Sequence, residues 1–205
     1  MRERILEYCE QTFMRYGIRS VSMDAIAVGL GISKKTIYQY FKDKEEIIKA
    51  LLEKGHNEDC VALKEIDFKA KDPIEKFFLA FKYYHDELCS INPALIYDLR
   101  KYHPDAWETF CIRKENDPLH MVSDILIKGI EQGLFRPEIN IKIMSRFIVR
   151  IMDMMADGVA FPASQFKIVD IHTELMTHFI YGIATEEGRK LIEIHKSILT
   201  QNSIN

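Results

Sequence analysis

Between Lys34 and Lys44 the chain gathers side chains suited to reading a nucleic acid. Lys34, Lys35, Lys42 and Lys44 can neutralise phosphates. Thr36, Tyr38 and Tyr40 offer hydroxyls to phosphates or base edges, and Gln39 can pair with adenine. Ile37 and Phe41 stand four residues apart, which gives a helix here one buried stripe. Tyr38 and Tyr40 are two apart and cannot both face the same core. Lysines alone would read better as a solvated surface; the lysines together with the tyrosines and Gln39 point to DNA.

A second set of residue types could hold a metal. His56 and Cys60 are four apart, as are His85 and Cys89, and two such pairs brought together would make a tetrahedral zinc site. Nothing in the sequence brings them together, so they read as buried thiols and satisfied imidazoles, with no metal and no cofactor. There is no G-x-S-x-G, no glycine-rich phosphate loop and no H-E-x-x-H, and the chain is not expected to be an enzyme.

The elements that must position the Lys34–Lys44 residues are legible nearby. Ser22 can cap a helix, with Asp24 at its positive end, and Ala25, Ile26, Ala27, Val28 and Leu30 make it small and apolar. Gly31 can take the left-handed conformation that stops it. Ser33 can cap a second helix from Lys34 to about Phe41. The result is a helix-turn-helix whose second helix could enter a major groove. A helix over residues 2 to 16, with Ile5, Cys9, Phe13 and Tyr16 on one face and Gly17 at its end, supplies the floor. Charge agrees: the net charge of the whole chain is −3, yet residues 1 to 50 carry +2 and the stretch from Arg19 to Lys44 carries +3.

The segment SMDAIAVGLGISKKTIYQYFKDKEEII resembles the DNA-binding part of the TetR (tetracycline-repressor-like) transcriptional regulators. The resemblance covers about residues 1 to 50 and rests on the capped small-residue helix, L-G-I-S, T-I-Y-x-Y-F and K-x-K-E-E. It implies a dimeric, all-helical, ligand-responsive repressor that binds double-stranded operator DNA. It also implies DNA contacts at Ser22, Lys34, Lys35, Thr36, Tyr38, Tyr40 and Lys44, with Gln39 tuning the sequence preference.

The remainder reads as helix throughout, giving an all-α fold: a three-helix DNA-binding domain over 1–46 and a larger helical ligand-binding and dimerisation domain over 47–205. Asp43 and Glu46 begin a helix, Asp72-Pro73 and Asn92-Pro93 begin two more, and Asp117-Pro118 repeats the signal. Long helices are expected over 139–160 and 165–184, and a last one follows Thr185. An unknown small, mostly apolar effector would be lined by aromatics and methionines: Phe81 and Tyr84, then Tyr97, Trp107 and Phe110, then Met121, Phe147, Met152 and Met155. Simple core packing is the competing reading of each. By resemblance the two long helices form the dimer, with Ile148, Ile151, Val159, Ile168, Ile171, Leu175, Phe179 and Ile183 as interface candidates. No uncharged stretch approaches the ~20 residues of a spanning helix, so no membrane partner is expected. Four cysteines without a close pair fit a reduced, cytoplasmic setting. The alternative is a helical ligand-binding or scaffold protein whose helix-turn-helix makes only protein contacts.

Overall fold

A computed structural model describes the backbone of residues 1–156, 160–162 and 164–199; of these, the side chains of 88, 89, 93, 109–117, 153, 155, 156 and 168 are not described. Among the described residues the chain is helical, with one isolated bridge between Phe135 and Ala184 and no strand. The helices are α1 (Arg2–Tyr16), α2 (Met23–Leu30), α3 (Lys34–Tyr38), α4 (Lys44–Lys69), α5 (Pro73–Ser90), α6 (Pro93–Tyr102), α7 (Pro104–Glu131), α8 (Ile141–Ala156), α9 (Ile168–Ile183) and α10 (Glu186–His195), followed by a 3₁₀ turn (Lys196–Leu199). None is long and apolar enough to cross a membrane.

The chain divides into two compact units, Met1–Val61 with Ile91–Lys114, and Ala62–Ser90 with Glu115–Asn205. The cut expected after residue 46 falls inside α4, whose first turns belong with the helix-turn-helix. In the first unit Ile5, Cys9 and Phe13 of α1 pack with Ile26 and Leu30 of α2, Ile37, Phe41 and Ile47, and with Leu99 of α6. Burial of this kind is worth about 1.5–3 kcal/mol for each large apolar side chain. It also pushes the Cys9 thiol up to about 12, which keeps it protonated.

The expected start signals operate as hydrogen bonds. Ser22 Oγ accepts from Ala25 N–H at 3.1 Å, and Ser33 Oγ from Thr36 N–H at 3.0 Å. Asp43 Oδ1 accepts from Glu46 N–H while Glu46 Oε2 accepts from Lys42 N–H, a reciprocal capping box. Asp72 and Asn92 cap α5 and α6. Two expectations give way. The second helix of the motif stops at Tyr38 rather than about Phe41, because Tyr40 N–H and Phe41 N–H both turn back to the Ile37 carbonyl and tighten the chain before α4. Asp117-Pro118 starts no new helix, because α7 runs through it. Proline forfeits its own hydrogen bond and crowds the carbonyl one turn back, yet the helix continues on either side.

The second unit is built on Ile74, Phe77, Phe78 and Phe81 of α5, Val122, Ile125 and Leu126 of α7, Ile148 and Val149 of α8, and Met176, Phe179 and Ile180 of α9. Lys76, 8 % exposed, is held by Asp67 at 2.6 Å and Asp124 at 2.8 Å. The connector after α7 is tied to the start of α10: Thr185 N–H donates to the Leu134 carbonyl, and Gly188 passes so close that a Cβ there would lie 2.1 Å from that oxygen.

Candidate nucleic-acid interface and effector core

The candidate DNA-reading surface is made by what the first unit buries. Ile37 is 0 % and Phe41 1 % exposed, and anchoring these two turns the intervening Tyr38 and Tyr40 outward, 47 % and 41 % exposed. Lys34, Lys35 and Gln39 are exposed beside them, and Thr36 is half-buried with its hydroxyl 2.8 Å from Ser33 Oγ. Gly31, at φ +65°, makes the turn between α2 and α3, and Ile32 N–H closes it on the Ala27 carbonyl. α1 supports this turn from beneath. Arg4 donates to the Leu30 carbonyl at 3.0 Å, and Tyr8 crosses α2 at Gly29, where a Cβ would lie 1.8 Å from its hydroxyl.

Lys34 Nζ lies 2.9 Å from Asp24 Oδ2. That exposed pair costs little to open, so the ammonium is still available to a phosphate. Ser22 is exposed at the start of α2 with its hydroxyl spent on the cap. Lys44 differs from expectation. Its Nζ donates to the carbonyls of Ile18 and Val21 at 2.8 and 2.9 Å, and burial lowers its pKa. It ties the loop before α2, which spends two of its three donors.

The same loop has a second tie that the sequence did not reveal. Asp98 of α6, 9 % exposed, accepts from Arg19 N–H at 2.8 Å. Gly17, at φ +79°, allows the carboxylate so close that a Cβ would meet it at 2.9 Å. Asn92 also donates to the Met14 carbonyl. α6 therefore belongs to the helix-turn-helix unit through polar contacts that no apolar periodicity announces.

The candidate effector-lining residues are divided between the two units. Tyr97 and Trp107 belong to the first unit; Tyr97 is 55 % exposed against Tyr102, and Trp107 packs on that unit's core. Phe81, Tyr84, Met121, Phe147 and Met152 belong to the second unit. Of these, Phe81 is buried, Tyr84, Met121 and Met152 are half-buried, and Phe147 is half-exposed. Phe110 and Met155 lie outside the described side chains. The dimer candidates Ile148, Ile151, Ile171, Phe179 and Ile183 are buried by their own chain, and Leu175 is half-buried. Val159 lies outside the described residues and Ile168 outside the described side chains. The exposed apolar side chains of α8 are instead Ile143, Phe147 and Met154.

The histidine–cysteine pairs belong to different units. His56 Nε2 is 3.8 Å from Cys60 Sγ within the first unit. In the second unit His85 Nδ1 meets His172 Nδ1 at 2.9 Å, and Cys89 lies outside the described side chains. His172 is 0 % exposed and stacks on Phe81 with ring centres 3.8 Å apart. Burial, and then the neighbouring His85, pushes the His172 pKa down to about 3. Burial also lowers that of His85.

Residues 5–51 match the family model described as bacterial regulatory proteins, tetR family. The chain is 25 % identical over 154 residues to the HTH-type transcriptional repressor KstR2 of Mycobacterium tuberculosis, covering 72 % of this chain and 75 % of that one. Among solved structures, a transcriptional regulator from Cytophaga hutchinsonii superposes with a TM-score of 0.71 at 20 % identity, over 89 % of this chain and 98 % of that one. The regulator FadR of Bacillus subtilis, solved in complex with stearoyl-CoA, gives 0.67 at 18 % identity, over 89 % and 100 %. With the tetR family pattern on its capped, outward-facing α3 and a helical fold shared along most of its length with such regulators, the chain is similar to the DNA-binding transcriptional regulators of the TetR family.

Proposed function

We propose that the protein is a cytoplasmic, homodimeric repressor that leaves a palindromic operator when a small, mostly apolar effector enters its second unit. The observation that carries the DNA half is the pair Ile37 and Phe41, which holds Tyr38, Gln39 and Tyr40 outward beside Lys34 and Lys35. Two such surfaces related by a two-fold axis suit half-sites about one helical turn apart or somewhat more. Dimer formation is supported by the exposed face of α8, where Ile143, Phe147 and Met154 would cost free energy in water. Glu174 and His178 lie on the exposed face of α9. The effector half is supported by the aromatic and methionine content of the second core, and by a fold shared with a regulator solved around an acyl-CoA.

The test is selection of bound fragments from random duplex DNA by the full-length protein, with affinity followed against salt. An enriched palindrome whose affinity falls steeply with salt is expected. Weak, sequence-indifferent binding would overturn the reading.

A further inference from the structure

Two buried side-chain atoms among the described residues lack a hydrogen-bond partner, Glu45 Oε1 and His172 Nε2. Glu45 is accounted for: its other oxygen bonds His103 Nδ1 at 2.6 Å, and the Lys49 ammonium stands 3.9 Å from Oε1. His172 has nothing equivalent at Nε2. Its ring is wholly enclosed, yet one of its two nitrogens is unused.

The chemistry of the pair says what that nitrogen wants. Two neutral imidazoles carry two N–H groups and two lone pairs between them. The Nδ1···Nδ1 contact consumes one of each. At Nε2 His172 presents whichever of the two, N–H or lone pair, its Nδ1 does not use. An oxygen partner fits either way, since a carbonyl accepts and a hydroxyl accepts or donates. A fixed charge is poorly served. Among the described charged groups His85 feels Asp86 and Lys82, with opposite effects, and His172 feels only His85.

The surroundings are apolar and adaptable. On α5, Phe77, Phe81 and His85 share one face at four-residue steps; Phe77 stacks on Phe81 and on Phe179 of α9. Met176 is one turn along α9 from His172, and the flexible Met144 and Met152 pack on the same core. Methionines can repack around a ligand more readily than branched side chains.

We propose that His172 Nε2 is the polar anchor of the effector site. The effector is then an apolar molecule bearing one uncharged oxygen function, a ketone, ester or hydroxyl, with His85 setting the tautomer that receives it. The inference rests on the reading that the second unit binds an effector.

The test uses full-length protein without DNA, labelled with ¹⁵N-histidine. The probes are 2-octanone, 1-octanol, octanoate, n-octane and Zn²⁺. The expected result is movement of the His172 Nε2 resonance with the ketone and the alcohol but not with octane, and affinity for the ketone at least about tenfold above that for octane. His172→Phe, which keeps the stack on Phe81, should erase that preference while octane still binds. An unmoved Nε2 resonance, a preference surviving in His172→Phe, tighter binding of octanoate, or a response to Zn²⁺ alone would each overturn the proposal. If His172→Phe does not fold, the wild-type resonance decides alone. Operator selection, done without any probe, separates this failure from failure of the repressor reading.

Discussion

His172 makes the stability of the protein depend on pH in a window that few other groups share. The free imidazole titrates near 6.5, whereas burial holds the native one at about 3. Between those values the unfolded chain binds a proton that the native chain refuses, so acid favours unfolding. Stability is full above pH 6.5 and falls as the pH drops toward 3, by about 1.4 kcal/mol per pH unit for one such histidine. From pH 6.5 to about pH 5 the loss is roughly 2 kcal/mol. His85, also lowered by burial, adds in the same direction. The assay is urea unfolding followed by far-ultraviolet circular dichroism at about pH 7.5, 6.5 and 5, on wild type and His172→Phe. Taking the difference between the two proteins cancels the titrating groups that do not touch His172, and leaves His172 with its partner His85. At pH 7.5 the variant's advantage should be small, because the removal of an unpaired buried nitrogen is offset by the hydrogen bond that His85 Nδ1 loses. By pH 5 its advantage should have grown by about 2 kcal/mol. Parallel pH curves would refute the buried, neutral imidazole and the reasoning built on it.

Tyr38→Ala should lower operator affinity at least about tenfold while moving stability by less than about 0.5 kcal/mol, since the side chain is half-exposed; gel-shift titration beside a thermal melt checks both. Gly188→Ala should destabilise by about 1–3 kcal/mol in urea, because the new methyl meets the Leu134 carbonyl and not a side chain that could swing away. Ile143→Glu with Phe147→Glu should give a folded monomer by sedimentation equilibrium, as both positions are exposed on α8; a persistent dimer would place the interface elsewhere. Asp98→Leu should cost about 1.5–3 kcal/mol of stability and also weaken operator binding, with Asp98→Asn milder on both; unchanged DNA affinity would show that the loop before α2 needs no tie from α6.

Much of the helix-turn-helix was legible because its signals are local. Ser22, Gly31 and Ser33 act on backbone groups within a turn of themselves, and the Ile37 and Phe41 spacing fixes which side of α3 is outward. What escaped the sequence depends on partners far along the chain. Lys44 reads as a free cation until the carbonyls of Ile18 and Val21 are in place. Asp98 reads as a solvated residue of a short helix until Gly17 and Arg19 come up to it. The stripes of α8 and α9 gave the buried face correctly as apolar, but periodicity cannot distinguish a core within one chain from an interface between two. Ile148 and Ile171 are buried in the core of their own chain. His172 was missed because one histidine in an apolar stripe carries no spacing signal. Its interest comes from His85, 87 positions away, and from the nitrogen that this partner leaves unused.

That one nitrogen is a sufficient source of regulation by magnitude alone. Coupling between an effector and DNA in such proteins amounts to about 1–3 kcal/mol, a five- to 150-fold change in affinity. Leaving a buried hydrogen-bonding group unsatisfied costs a similar amount, about 1–3 kcal/mol. An effector oxygen that satisfies His172 Nε2 therefore supplies energy of the required size from a single bond, without help from the apolar contacts around it. The bond counts toward release only in so far as it is stronger in the conformation that leaves DNA than in the one that holds it. Apolar burial is non-directional and discriminates poorly between two packings of the same side chains. A hydrogen bond is steeply dependent on distance and angle. A single directional contact set among phenylalanines and methionines is thus where a small rearrangement of α5 against α9 would be converted into a difference in affinity.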